Sequence, residues 1–304
     1  MLKSFNGIIE AAKEGGAKRL VIPAATKMDM KLLGKAAGAG LVIPLLVGDG
    51  KVIEDMIEET ALKSLKYEIV DEKDPDKVLS TSIQSIREGR ADILMQGSVN
   101  HQALMDAVMD AKNGLRKGKL MSFISVFQLL KPEKLILVTD TFINNSPTLA
   151  DKQLILEHAL KLAGILGIDT PKVAALAAIE QINLNIPSTL DAAILSKMSE
   201  RKQFGKAIVE GPLDIDCALS EAAAARKGLK SIVTGNVDIY LVPEVDTGHL
   251  LAEALVFFGK METAGAIMGT TNPVILNLPF VADEGRIVEI AIASLMCGKG
   301  GDGA

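Results

Sequence analysis

Short runs of branched apolar residues alternate with longer stretches of helical periodicity along the whole chain. This alternation constrains the fold more than any other feature of the sequence. Strands are expected at RLVIPA around Leu20, LVIPLLVG around Ile43, YEIV around Ile69, ADILMQG around Leu94 and KLILVTD around Leu137. A second series reads KVAALAAI around Leu176, KAIVEG around Val209, DIYLVP around Leu241, AGAIMG around Ile267 and PVILN around Ile275. The clearest helix is LADKQLILEHALKLAGILG. Its Leu149, Leu156, Leu160 and Ala163 recur at helical spacing, with Ser146 and Pro147 as the expected cap and first turn. Another helix is expected to open at Ser188, with Asp191 three residues on. Parallel strands need a crossover long enough to hold a helix, so this alternation predicts an α/β fold with parallel sheets. Such sheets bind ligands at the carboxyl ends of their strands.

Length and composition narrow the picture. A chain of 304 residues is long enough for two domains. Polar, turn-rich loops interrupt the pattern near Asp140 and Gly269. They predict a first domain of residues 1–140 plus 270–304 and an inserted second domain of residues 141–269. Aromatics are 3% of residues and Trp is absent, so the core must be built from Ala, Val, Ile, Leu and Met, and base-stacking platforms are lacking. A net charge of −5 argues against a protein built to neutralise a nucleic-acid backbone. Cys217 and Cys297 show neither metal-ligand spacing nor a disulfide framework, which fits a reduced, cytoplasmic setting. MLKSFNGIIEAAKEGG reads as an amphipathic helix and not as a signal peptide. The longest apolar stretch, AAGAGLVIPLLVG, is too short to span a membrane, so a soluble protein is expected. The tail from Gly298, GKGGDGA, is expected to fray.

Five loops that follow strands are candidates for chemistry. They are QGSVNH from Gln96 to His101, TFINNSP from Thr141 to Pro147, PLDID ending at Asp216, EVDTGH ending at His249, and TTNP ending at Pro273. Backbone N–H groups between a strand and a helix start point outward and favour anions. Any one such loop is more often an ordinary turn rich in capping residues; five together favour a binding role. Neither GxxxxGK[ST] nor a GxGxxG after a strand is present. His101, His158 and His249 show no metal spacing; His158 lies within the long helix and reads as a surface or packing residue. Asp214 and Asp216 read as a loop aspartate and a helix cap before they read as a metal pair.

Those loops carry a resemblance. ADILMQGSV with NGLR at Arg116, LVTDTFINNSPTL, KVAALAAIEQIN, IVEGPLDIDCALSEAAA, GNVDIYLVPEVDTGHLL and AGAIMGTTNPVIL stand in this order along nearly the whole chain. The sequence resembles the phosphate acetyltransferase and phosphate butyryltransferase family, the butyryl branch more closely. The resemblance implies two Rossmann-like α/β/α domains with parallel-rich sheets and an interdomain cleft, in a homodimer. It implies the reaction acyl-CoA + phosphate ⇌ acyl phosphate + CoA, with CoA as substrate and no metal or tightly bound cofactor. Donors must hold the phosphate, a base must take the thiol proton, and a hydrogen-bond donor must stabilise the oxyanion.

The sequence departs from the family pattern at four positions. A Ser-Arg pair that serves oxyanion and phosphate is replaced by Leu278 and Pro279; a common Lys is Gln96; and an Asn after a Gly is His249. Candidate catalytic residues are His249, Asp283 and Glu284. Candidate substrate-binding residues are Gln96, Ser98, Asn100, Arg116, Thr139, Asn144, Asn145, Gly248, Thr270, Thr271, Asn272 and Arg286. A helical Arg such as Arg286 is more often a solvated charge. Leu278, Pro279 and Phe280 are expected to form an apolar wall that favours longer or branched acyl groups. Three readings follow: a working phosphate acyltransferase, a non-transferring relative that binds acyl-CoA as an accessory or regulatory protein, and a different acyl-CoA reaction with His249 as base.

Overall fold

The computed structural model describes residues 1–131 and 133–299. Internal packing divides the chain into two compact units, Phe5–Lys119 with the segment from Ala264 onward, and Met1–Ser4 with Leu120–Thr263. The first unit opens with α1 (Phe5–Glu14), β1 (Lys18–Pro23), α2 (Lys27–Gly38), β2 (Val42–Gly48) and α3 (Gly50–Glu58). A short 3₁₀ turn (Ala61–Ser64), β3 (Glu68–Asp71), α4 (Pro75–Arg87), β4 (Ile93–Met95) and α5 (His101–Met109) follow. Local chemistry sets these starts. Thr26 and Asp29 form a reciprocal capping box on α2, and Asp74 caps α4 ahead of Pro75 in its first turn.

The second unit holds β5 (Ser122–Leu130), β6 (Glu133–Thr139), α6 (Leu149–Ile165), β7 (Lys172–Leu176), α7 (Pro187–Glu200) and β8 (Ile208–Leu213). It continues with α8 (Ile215–Leu219), α9 (Glu221–Arg226), β9 (Ile239–Leu241) and α10 (Val245–Phe257). β10 (Thr263–Met268) carries the chain out, and β11 (Val274–Ile275) and α11 (Asp283–Lys299) complete the first unit. The first sheet runs β11-β4-β1-β2-β3, and every pairing in it is parallel. The second runs β10-β5-β6-β9-β7-β8; β6, β9, β7 and β8 are mutually parallel, and β5 pairs antiparallel with β6. Apolar strands covered by helices are what such sheets require: β1 is buried from Leu20 to Pro23, and β10 throughout.

Several expectations meet a different structure. The first crossing between units falls at Lys119–Leu120 and not near Asp140, because the β5–β6 hairpin belongs to the second sheet; the second falls at Thr263–Ala264, inside β10 and a few residues before Gly269. β5 itself has no counterpart among the expected strands; its buried run SFISVF lacks the alternation that marks a half-exposed strand. The cap of α6 is Thr148 and not Ser146, since Thr148 and Asp151 close a capping box two residues further on. α7 likewise starts at Pro187, with Ile186 as its N-cap. α11 runs through Gly298 and Lys299, the first two residues of the tail expected to fray, and the rest of that tail lies outside the described residues. Among the described residues no helix is long and apolar enough to cross a membrane.

Candidate functional site

In the second unit the loops after three parallel strands converge on a cavity of about 630 Å³. Leu176 and Ala177 come from the end of β7, Asp214 from the end of β8, and Pro243 and Glu244 from the end of β9. Ser146 and Pro147 reach it ahead of α6, and Thr247 from the first turn of α10. The cavity therefore lies where parallel sheets bind ligands, outside the carboxyl ends of the strands. Lys152 borders it, only 7% exposed, with its ammonium 2.6 Å from Asp191 of α7. Pairing is what makes a lysine tolerable at that depth.

Beside this cavity the loop after β6 is organised by one carboxylate. Asp140 is buried and accepts N–H bonds from Phe123 (3.3 Å), Phe142 (2.8 Å) and Ile143 (3.0 Å) through one oxygen. Its other oxygen accepts from the backbone and side-chain amides of Asn144. Burial pushes this carboxyl above the usual range, and the surrounding N–H groups pull it back. The Asn144 amide also donates to the Met121 carbonyl at 2.8 Å, so its donors serve the loop itself. Gly248 of α10 packs directly on this turn. A Cβ there would stand 2.4 Å from the Asp140 carbonyl oxygen and 3.1 Å from the Thr141 Cα, so only glycine fits. His249 follows, half-buried, with its ring 5.9 Å from that of Phe142 and its Nε2 3.5 Å from the Glu253 carboxylate one turn on. Thr139 is fully buried and donates to the Phe123 carbonyl, while Asn145 is exposed and accepts the Val245 N–H through its carbonyl.

In the first unit the expected residues form two groups. Gln96, buried after β4, accepts the Asn277 N–H (3.0 Å) and donates to the Val99 carbonyl (3.1 Å). Its amide thus fastens the loop after β4 to the segment after β11, a positioning task. Gly97 makes this possible, since a Cβ would collide with the Pro23 carbonyl at 2.0 Å. Ser98 is exposed and Asn100 caps α5, accepting the Ala103 N–H at 3.1 Å. The second group is a short antiparallel ladder that joins Arg116 to Thr270. Thr271 donates to the Leu115 carbonyl (2.7 Å) and Lys117 to the Gly269 carbonyl (2.8 Å). The exposed Arg116 guanidinium donates to the Gly118 carbonyl through Nε, and the Asn272 amide donates to the Asp92 carbonyl.

α11 corrects two expectations. Arg286 is not a solvated charge: it is 7% exposed, with Nη2 3.5 Å from the Asp29 carboxylate and Nε without a hydrogen-bond partner. Glu289, one turn on, is fully buried, and burial pushes its carboxyl up to about 8 against the pull of Arg286. Leu278 does not line an open wall, being 3% exposed; Pro279 is exposed and Phe280 half-buried. Asp283 and Glu284 are exposed on the first turn of α11, with Asp283 3.9 Å from Lys35.

The remaining titratable candidates have local roles. Asp214 caps α8, accepting the Ile215 N–H. Lys227 bonds Glu180 (2.7 Å) and Asp216 (2.9 Å) at once. Glu180, Asp216 and Cys217 are close enough to ligate a metal, but the Lys227 ammonium already serves both carboxylates. Burial and the two carboxylates push the Cys217 thiol up to about 12, which makes it a poor thiolate ligand. His158 meets the Ser122 hydroxyl through Nδ1 at 2.9 Å, and burial lowers its pKa. His101 is half-buried at the first position of α5.

Residues 48–294 match the family described as phosphate acetyl/butaryl transferase. The chain is 36% identical over 300 residues to a phosphate butyryltransferase of Clostridium acetobutylicum, covering 98% of this chain and all of that one. The chain belongs to the phosphate acetyl/butaryl transferase family.

A phosphate acetyltransferase of Thermotoga maritima is 33% identical, with 95% of this chain and 98% of that one covered. Among solved structures, a branched-chain phosphotransacylase from Enterococcus faecalis V583 superposes with a TM-score of 0.79 at 26% identity, over 91% of this chain and 99% of that one. The family match spans the Asp140 turn, the Gly248–His249 step and the Arg116–Thr270 ladder. Sequence reasoning missed Asp140, Lys152, Asp191 and Glu253. Lys152 had a signal: with Ile155, Leu156 and Ala159 it occupies the buried stripe of α6, where an unpaired cation would be costly.

Proposed function

We propose that the chain transfers a short acyl group between coenzyme A and inorganic phosphate, with butyryl-type groups preferred over acetyl. The observation that carries this reading is the 36% identity to a phosphate butyryltransferase over nearly the full length of both chains. The transfer starts when a base removes the thiol proton of CoA. The thiolate then adds to the acyl phosphate carbonyl, and the oxyanion collapses to expel phosphate. His249 suits the first step, because the Glu253 carboxylate on the next turn holds an imidazole in one orientation. Asp283 and Glu284 are the alternative bases, exposed on α11. Arg116 is an exposed guanidinium with donors left for phosphate once Nε is engaged. The reading takes acyl-CoA and phosphate as substrates, with no metal or tightly bound cofactor in the transfer, in a cytoplasmic homodimer.

Selectivity follows from apolar burial. Pro279 and Phe280 remain accessible where the resemblance leads one to expect Arg and its neighbour. Each extra CH₂ of the acyl chain in apolar surroundings contributes about 0.8 kcal/mol, so the two that separate butyryl from acetyl favour butyryl roughly tenfold. Acyl phosphate formed from acyl-CoA and phosphate, trapped as the hydroxamate, tests this. A kcat/KM for butyryl-CoA about tenfold above acetyl-CoA is expected. Equal or inverted values would remove the butyryl preference.

A further inference from the structure

The cavity of the second unit stands at a fork in the chain. β7 lies between β9 and β8 in its sheet. The chain leaves β7 for β8 on one side, then crosses back to reach β9 on the other. Crevices at such a reversal are where open parallel sheets take their ligands. The walls there are the loop after β7, with Ala177 and Ala178, and the loop after β8, with Asp214 and Ile215. The Ala177 N–H donates to the Leu213 carbonyl at 2.9 Å. Past that pair, no backbone hydrogen bond joins the two loops among the described residues. Charge joins them instead. The Lys227 ammonium lies 2.7 Å from Glu180 of the first loop, and 3.5 and 2.9 Å from Asp214 and Asp216 at the start of α8. The Cys217 thiol donates a further bond to Glu180 at 3.2 Å. The ammonium holds the Glu180 and Asp216 carboxyls below their usual range, so both stay charged at neutral pH.

We propose that Lys227 is a positioning residue for the acyl transfer, one cation that holds both walls of this cavity where a substrate needs them. The proposal rests on the transferase reading in naming the substrate; the clamp itself is a property of the two loops. Three carboxylates drawn this close repel one another once the ammonium is gone, and the loops that carry them part. Two plainer roles fit the geometry less well. A helix-end charge would need only the dipole of α9, which Lys227 closes through its backbone N–H, and would not gather carboxylates from two loops. A stabilising ion pair would sit deeper, since the Lys227 side chain is 36% exposed and surface pairs add little to stability. Removing the charge should therefore spare the fold and disturb the cavity. Asp214 makes that connection direct, because it both lines the cavity and faces the ammonium.

Steady-state kinetics, beside amide hydrogen exchange of the full chain, test the clamp. Lys227→Met keeps the length of the side chain and loses its charge. It should lower kcat/KM for butyryl-CoA roughly 10- to 100-fold, the cost of a misplaced wall, with the thermal midpoint little changed. Amides of residues 178–186 and 214–216 should exchange several-fold faster. Lys227→Arg should restore most of both. Glu180→Ala frees the first loop alone and should speed exchange in residues 178–186, which keeps the test decisive if Lys227→Met fails to fold. Unchanged loop exchange in either folded variant would overturn the proposal. So would wild-type kcat/KM in Lys227→Met, or a loss of activity matched by an equal loss of folded protein. A wild type that transfers no acyl group would instead remove the transferase reading, and loop exchange would still judge the clamp.

Discussion

Arg116 shows what a single residue discloses in the sequence and what it hides. NGLR could be recognised as a motif, but the ladder that holds Arg116 against Thr270 joins segments far apart in the chain, and no local periodicity reports it. If this guanidinium grips phosphate, Arg116→Ala removes a charge-assisted contact worth about 1.5–3 kcal/mol, so KM for phosphate should rise roughly 10- to 100-fold. Steady-state kinetics with each substrate varied should show KM for acyl-CoA little changed; unchanged kinetics for both would remove Arg116 from the site. Gly248 was equally visible as a candidate, though for another reason than the structure gives. The close approach of the Asp140 turn leaves no room there for a side chain. Asp140 itself stood out only as a turn at a domain boundary, because a carboxylate inside a strand-end loop reads as an ordinary turn former until its five donors are seen together.

At the scale of elements, the strands with branched apolar runs and the long helices were legible, because their periodicity is local. β5 was not, since full burial removes the alternation that distinguishes a strand. α11 looked like a helix with solvated charges, yet Arg286 and Glu289 are buried on it, as are Val288, Ile290 and Ala291. That arrangement has a pH signature. Burial raises the folded Glu289 pKa to about 8 from a reference of 4.5. Between those values the folded chain keeps a proton that the unfolded chain gives up. Stability is therefore fullest below the unfolded value and falls as pH rises towards 8, by at most about 1.4 kcal/mol per pH unit. Urea unfolding across this window should show the decline, and Glu289→Gln should flatten it. A mutant curve as steep as the wild type would place the titrating group elsewhere.

At the scale of the whole molecule, alternation alone was enough to predict α/β architecture with parallel sheets, and both sheets have it. The division into units was only approximately readable. The return of the β5–β6 hairpin to the second sheet is fixed by pairing of β6 with β9, about a hundred residues away in sequence. Family membership rests on ordered blocks spread over the chain, and it survives the replacement of the expected Ser-Arg pair by Leu278 and Pro279. The loss of one oxyanion donor typically costs about 10²–10³ in rate, so the remaining donors must carry the anion if the chain is a transferase. Release of free CoA thiol from butyryl-CoA, followed with and without inorganic phosphate, tests this most directly. The account predicts release that saturates with phosphate and vanishes without it. Thiol release indifferent to phosphate, or tight CoA binding with no turnover of any short acyl-CoA, would contradict it.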